Sequence, residues 1–254
     1  MPPTIPLVSS FISKIWNVTL PTGKEKKPET IVFPALDTYS DSNFTVLADG
    51  IKMKCPTDGV TTQNSSYPRC EFRELTENGE KAAWDFTPDS DHYMEWVVIV
   101  SKIPAKKPHV CIGQIHDIKD DILEIRVEDK KLVARGRDIN GYVPLMDFTL
   151  GKTYTFGISV VGGKTSFHNI AEKVAVTITQ IPKDVKGCYF KCGNYVQSNP
   201  LKGDAKDFSE IILKSLKVTH SKTGNEKPPI EKPPTDPVEK PKKRKHCCCC
   251  CSED

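Results

Sequence analysis

Tyr189-Phe190-Lys191-Cys192-Gly193-Asn194-Tyr195-Val196-Gln197 is the stretch on which the reading of the fold turns. Taken as a β-strand, with side chains alternating between faces, it sets Tyr189, Lys191, Tyr195 and Gln197 on one side and Phe190, Cys192 and Val196 on the other. The second side is apolar and suited to a core. The first carries two phenols, an ammonium and an amide, with Gly193 leaving a gap among them. Such a row can serve as the floor for an anionic, hydroxyl-rich chain, or it can be the solvated face of an antiparallel sheet.

Two earlier segments carry the same kind of face. In Ser66-Tyr67-Pro68-Arg69-Cys70-Glu71-Phe72-Arg73-Glu74-Leu75, alternation places Arg69, Glu71 and Arg73 together and Cys70, Phe72 and Glu74 opposite. A carboxylate flanked by guanidiniums stays ionised, so Glu71 is expected to orient the two arginines rather than to donate a proton. A structural row of ion pairs would look the same. In Val110-Cys111-Ile112-Gly113-Gln114-Ile115-His116-Asp117, Gln114 and His116 share a face with Ile115 opposite. A lone histidine is usually structural, but an amide two residues away can bind a carboxylate that the imidazole must approach.

The rest of the chain reads as strands. Ile15 to Gly23 alternates and ends at a turn, and a lysine-rich polar loop follows. Phe33 to Tyr39, Phe44 to Leu47 and Ile51 to Lys54 are expected as short strands separated by Pro and Asp-Gly turns. Met94 to Val100 is strongly apolar and expected at the centre of a sheet. Ile122 to Val127 and Leu132 to Arg135 flank Glu128-Asp129-Lys130-Lys131 as a hairpin, Tyr154 to Val161 and Val174 to Ile178 follow, and Ser209 to His220 closes the series. Many short strands with turn punctuation and no helical periodicity predict an all-β sandwich or jelly roll.

Composition excludes several classes. With 254 residues and a net charge of +3 from well-mixed acids and bases, the chain is long enough for one large all-β domain or two small ones and offers no footprint for nucleic acid. Met1 to Ser10 lacks the pattern of a secretory signal, no apolar run approaches a membrane span, and the glycosylation triplets at Asn17, Asn43 and Asn64 are therefore read as chance. Cys55, Cys70, Cys111, Cys188 and Cys192 are dispersed without C-x-x-C spacing, so no zinc site is expected, and small buried thiols account for Cys70 and Cys192.

Residues 1–224 are expected to form the folded domain and 225–254 a disordered tail. Glu226-Lys227-Pro228-Pro229 recurs as Glu231-Lys232-Pro233-Pro234, a composition that favours an extended spacer reaching on the order of 60 Å. Lys242-Lys243-Arg244-Lys245 then precedes Cys247 to Cys251. A basic cluster beside acylatable thiols is a two-signal membrane anchor, and a reactive but unanchored tail is the alternative.

Together, Tyr67-Pro68-Arg69-Cys70-Glu71-Phe72-Arg73-Glu74, Gln114-Ile115-His116 and Tyr189 to Gln197 resemble the three signature strands of the alginate lyases of polysaccharide lyase family seven, in order and in spacing. The resemblance runs from about Trp16 to His220. It implies a β-jelly roll sandwich of two antiparallel sheets, a concave groove for an anionic polysaccharide, no metal and no cofactor. Cys70, Phe72 and Cys192 depart from the usual residues, all on the apolar side. A monomer is expected. With no secretory signal, such an enzyme would meet an extracellular substrate through lysis, packaging in a particle or tethering to a membrane.

The residue types fit β-elimination on their own chemistry. Cleaving a uronate chain this way requires neutralising the carboxylate, removing the C-5 proton and expelling the oxygen at C-4. Arg69 and Gln114, helped by Arg73 or Lys191, can bind the carboxylate. His116, with an ordinary pKa of about 6.5, is available as base. Tyr195 can protonate the leaving oxygen, or act as base if neighbouring cations lower its pKa. Glu71, Arg73, Tyr189, Lys191 and Gln197 are expected to bind substrate. In guluronate the C-5 hydrogen and leaving oxygen lie on opposite sides, which suits His116 as base and Tyr195 as acid; in mannuronate they share a side, and Tyr195 could do both. In the family, an Ile such as Ile115 accompanies acceptance of guluronate. A non-catalytic glycan-binding jelly roll would not call for Gln114, His116 and Tyr195 together, and a glycoside hydrolase would need two carboxylates about 5 to 9.5 Å apart. A lyase for another polyuronate, such as glucuronan, remains open on sequence.

Overall fold

The computed structural model describes residues 14–181 and 185–222. In chain order its strands are β1 (Trp16–Lys24), β2 (Lys27–Ile31), β3 (Phe44–Leu47), β4 (Gly50–Pro56), β5 (Arg69–Glu74), β6 (Ser90–Lys102), β7 (His109–His116), β8 (Asp121–Glu128), β9 (Lys131–Arg135), β10 (Val143–Asp147), β11 (Thr153–Val161), β12 (Lys164–Asn169), β13 (Val174–Ile178), β14 (Tyr189–Val196) and β15 (Phe208–Lys222). They build two antiparallel sheets packed face to face, the jelly-roll sandwich that the strand pattern predicts. One has eight strands in the order β10-β9-β8-β7-β14-β5-β1-β2, and the other seven in the order β13-β12-β11-β6-β15-β4-β3.

The core lies between the sheets and follows from alternation. Phe72 from β5 and Phe190 from β14 point inward, as do Trp16 from β1, Phe44 from β3 and Trp96 from β6, all fully buried. Phe72 meets Phe44 edge-on at 5.7 Å and Trp16 at 6.3 Å, geometries that aromatic quadrupoles favour. The five dispersed cysteines are free and buried, so Cys70 and Cys192 do act as small core side chains. Polar residues also point inward, Asn194 among them. Asn194 donates to the carbonyls of Met53 (2.8 Å) and Ser209 (2.9 Å) and accepts from Ser209 Oγ, which ties β14 to both β4 and β15 of the opposite sheet. Full satisfaction of its amide is what makes this burial tolerable.

The structure departs from the sequence reading at four places. Phe33 to Tyr39 forms no strand: Ala35–Asp37 is a 3-10 turn that buries Leu36, with Asp37 N–H on the Pro34 carbonyl at 3.1 Å. A single anchoring apolar side chain, preceded by a proline, needs only a turn to bury it. The lysine-rich loop is in part strand β2, and neither β10 nor β12 was read from the sequence. Strand β12 lies inside the seven-stranded sheet, and two of its three inward residues, Thr165 and Asn169, are polar. Strands β2 and β10 are the two edges of the eight-stranded sheet, each carrying a proline, Pro28 and Pro144. Edge strands that are exposed, charged or proline-bearing lose the alternation by which strands are recognised. Strand β6, by contrast, is the fourth of seven, central as its apolar run demands. The expectations for Met1–Ser10, for the tail 225–254 and for Cys247 to Cys251 lie outside the described residues.

Candidate active site

Three strands far apart in sequence lie side by side in the order β7-β14-β5 and present their polar faces on the outer surface of the eight-stranded sheet. Register sets the pairs: Tyr189 opposite His116, Lys191 between Gln114 and Arg73, Gly193 opposite Glu71, and Tyr195 opposite Arg69. Glu71 is the hub. Its Oε2 receives Arg69 Nη1 at 3.2 Å and Lys191 Nζ at 2.5 Å, and its Oε1 receives Gln114 Nε2 at 2.5 Å. Gly193 makes the hub fit. Its φ is +149°, and a Cβ there would stand 2.8 Å from both Glu71 Cα and the Cys70 carbonyl oxygen.

Electrostatics follows from this packing. Burial alone would push the Glu71 carboxyl up, but Lys191 and Arg69 outweigh it and hold the pKa below the ordinary value, so Glu71 has no proton to give. Lys191 is lowered to about 8, by burial first and then by Arg69, with Glu71 opposing. The expectation that Glu71 orients both arginines is corrected here. It holds Arg69 but not Arg73, whose guanidinium instead covers the Tyr189 ring at 3.8 Å. Lys191 and Gln114, arriving from neighbouring strands, occupy the carboxylate oxygens that Arg73 would need.

His116 and Tyr195 flank the hub in opposite protonation states. The His116 Nδ1 donates to the Asp117 carbonyl at 2.6 Å, which leaves Nε2 with its lone pair. Its ring stacks on Tyr189 at 5.3 Å and 19°. Burial, then the Lys191 charge, hold the imidazole pKa below its ordinary value. Tyr195 lies under the Arg69 guanidinium, 3.8 Å from the ring centroid, with its hydroxyl 3.0 Å from Ser65 Oγ. Arg69 and Ser65 favour the phenolate, yet burial dominates and the phenol titrates above its ordinary value.

Of the residues singled out in the sequence, Arg69, Glu71, Gln114, Lys191, His116, Tyr189, Tyr195 and Arg73 assemble on this face. Gln197 does not join the hub. The β5 ladder ends at the Tyr195–Arg69 pair, and Gln197 is buried beyond it with its backbone N–H on the His109 carbonyl at 2.9 Å. Sequence reasoning missed Ser65, 130 positions from the phenol it touches, and no local signal marks it. Asp117 had a signal: an aspartate at a strand end, whose Oδ1 accepts the Lys119 and Asp120 N–H groups at 2.7 Å and shapes the turn behind His116.

A jelly-roll sheet whose outer face gathers Arg69, Lys191 and Gln114 around one buried carboxylate, beside a neutral imidazole and a protonated phenol, suits a polysaccharide lyase. The family model described as alginate lyase matches residues 12–220, and the chain belongs to that family. Among solved structures it is similar to an alginate lyase of polysaccharide lyase family 7, with 36% identity over 85% of this chain and 98% of that one and a TM-score of 0.75. It is also similar to an alginate lyase from Corynebacterium sp. (34% identity, 85% and 98% covered, TM-score 0.76) and to one from Pseudomonas aeruginosa (27%, 82% and 99%, TM-score 0.72). None of the curated proteins matches the chain.

Proposed function

We propose that the protein cleaves alginate by β-elimination on the face built by β5, β7 and β14, leaving an unsaturated uronate at the new end. The observation that carries the reading is the Glu71 hub, which holds Arg69, Gln114 and Lys191 in place beside a base and an acid of opposite protonation. Arg69 and Gln114 take the uronate carboxylate and stabilise the enediolate charge that develops as His116 Nε2 removes the C-5 proton. The electron pair then forms the C-4 to C-5 double bond. The glycosidic oxygen leaves C-4 with the proton of Tyr195. Because the imidazole is neutral and the phenol protonated, this division of labour favours guluronate, where proton and leaving group lie on opposite sides.

The test incubates purified protein with polyguluronate, polymannuronate and glucuronan, with and without excess chelator, and follows ultraviolet absorbance of the unsaturated product. Product from alginate blocks, polyguluronate first, is expected. Absence of product from every polyuronate would overturn the reading, and loss of activity to the chelator would overturn charge neutralisation by Arg69 and Gln114 alone. We further infer that residues 1–224 are the lyase domain, that it acts as a monomer, and that Lys242 to Lys245 with Cys247 to Cys251 attach it to anionic membranes. The support for attachment is composition: each basic residue near such a surface contributes roughly 1 kcal/mol.

A further inference from the structure

Beyond the hub, at the Arg69 and Tyr195 end, lies a second cluster with no part in the reaction. The Tyr67 hydroxyl oxygen accepts Lys107 Nζ at 2.8 Å and Lys202 Nζ at 3.0 Å, and both ammoniums sit over its ring, 4.5 and 5.6 Å from the centroid. The three residues come from three connections, before β5, before β7 and before β15. Among the described residues, neither ammonium has a carboxylate in ion-pair range. Two cations on one neutral oxygen repel each other, and an anion is what such an arrangement lacks.

The cluster is built rather than incidental. Asn199, largely buried, donates through Nδ2 to the Ser66 carbonyl and accepts the Lys202 N–H on Oδ1, both at 3.1 Å, so the Lys202 loop is pinned beside Tyr67. Ser65 Oγ receives the Tyr67 N–H at 3.0 Å and touches the Tyr195 hydroxyl at 3.0 Å, which couples the cluster to the phenol of the active site. Tyr67 precedes Arg69 by two residues, a displacement of about 7 Å along an extended chain. With its oxygen accepting from both lysines, the Tyr67 hydroxyl still has its hydrogen to donate, and each ammonium has further N–H groups. The cluster therefore offers donors only, the complement of a carboxylate.

We propose that Tyr67, Lys107 and Lys202 form a second carboxylate subsite, which binds a uronate unit neighbouring the one whose carboxylate is held by Arg69. The proposal rests on the polyuronate reading above and deepens it. The subsite adds affinity and chain register and takes no part in proton transfer.

The experiment compares wild type with Lys202→Gln, Lys107→Gln, the double variant and Lys202→Arg, with Lys217→Ala on the opposite sheet as control. Affinity for alginate is read by retardation in alginate-containing gels, and KM and kcat by product absorbance at low and moderate salt. Loss of one partly exposed charge-assisted contact is expected to raise Kd and KM about fivefold, and loss of both more than about tenfold, with kcat changed less than about twofold. The salt dependence of binding should flatten in the double variant, Lys202→Arg should recover most of the affinity, and Lys217→Ala should match wild type. Unchanged affinity, or a fall in kcat at constant KM, would overturn the subsite. Should the double variant fail to fold, exposed Lys202→Gln alone carries the test. Binding without cleavage, weakened by the variants, would retain the subsite and remove the lyase reading; cleavage with no effect of the variants would do the reverse.

Discussion

Tyr195 keeps its proton because burial outweighs the guanidinium stacked on its ring, and His116 stays neutral because burial and the Lys191 ammonium both oppose a positive charge. Under the proposed mechanism each residue therefore waits in the form its step needs. Tyr195→Phe removes the donor and almost no volume, so kcat on polyguluronate should fall on the order of 10³-fold with KM within a few-fold of wild type, read by steady-state absorbance assays. His116→Ala should cost polyguluronate cleavage at least about tenfold more than polymannuronate cleavage. Equal, mild losses from both changes would place the chemistry elsewhere. The base works only when unprotonated, and its pKa is depressed, so the acid limb of kcat/KM should lie below about pH 6.5 in a pH profile.

At the level of the strand, the polar face of β14 depends on Gly193. Alanine there must take φ +149° and meet the backbone of Cys70 and Glu71 at 2.8 Å. Gly193→Ala should destabilise the fold by about 2 to 3 kcal/mol, seen as a melting temperature lower by roughly 5 to 10 °C. Strands β5, β6 and β15 are joined on the core side by a chain of hydrogen bonds. His220 Nε2–H donates to Glu74 Oε1 at 2.5 Å, the Nδ1 atoms of His92 and His220 share a hydrogen bond at 2.7 Å, and His92 Nε2 is bonded to Ser90 Oγ at 3.0 Å. Trp84 stacks on His92 at 4.1 Å and donates Nε1–H to Glu74 at 3.1 Å, while the Asp85 backbone and the Asp91 carboxylate are the other groups acting on the imidazole. Burial, then His220, lower the His92 pKa to about 4. With the unfolded value at about 6.5, the unfolded chain binds more protons between these limits, so this contribution is complete above about pH 6.5 and is lost as pH falls toward 4. It amounts to roughly 3 kcal/mol. Urea midpoints at pH 7.5, 5.5 and 4.5 should fall more steeply for wild type than for His92→Asn; parallel slopes would contradict the assignment.

For the whole molecule, the described fold runs through β15 to Lys222, and the family match ends at residue 220. Truncation after Gly224 should therefore leave kcat and KM within about twofold of the full chain. On the sequence expectation for residues 225–254, the contribution of that segment is one of placement. Fractionation of the two forms with anionic vesicles reads that contribution: the full chain, once acylated, should sediment with them and the truncated form should not. Lost activity on truncation would refute dispensability, and equal sedimentation would refute the anchor.

Alternation was enough to separate faces. From it the sequence placed Arg69, Glu71, Gln114, His116, Lys191 and Tyr195 on polar faces and Phe72, Phe190 and Cys192 in the core, because the two-residue period of a strand is a local property. It also predicted the all-β sandwich and the central position of β6. Strand neighbours are not local. That β14 lies between β7 and β5, and so brings Lys191 and Gln114 onto the oxygens of Glu71, depends on pairings across 43 to 120 positions. The same long-range register turned Arg73 toward Tyr189, left Gln197 beyond the β5 ladder, and brought Ser65 to Tyr195. The edge strands β2 and β10 were hidden because protecting an edge from further pairing removes the alternation that reveals a strand. Protonation states, too, were decided only by tertiary structure, since the burial that outweighs Arg69 at Tyr195 exists only once β14 lies against β5 and the loop carrying Ser65.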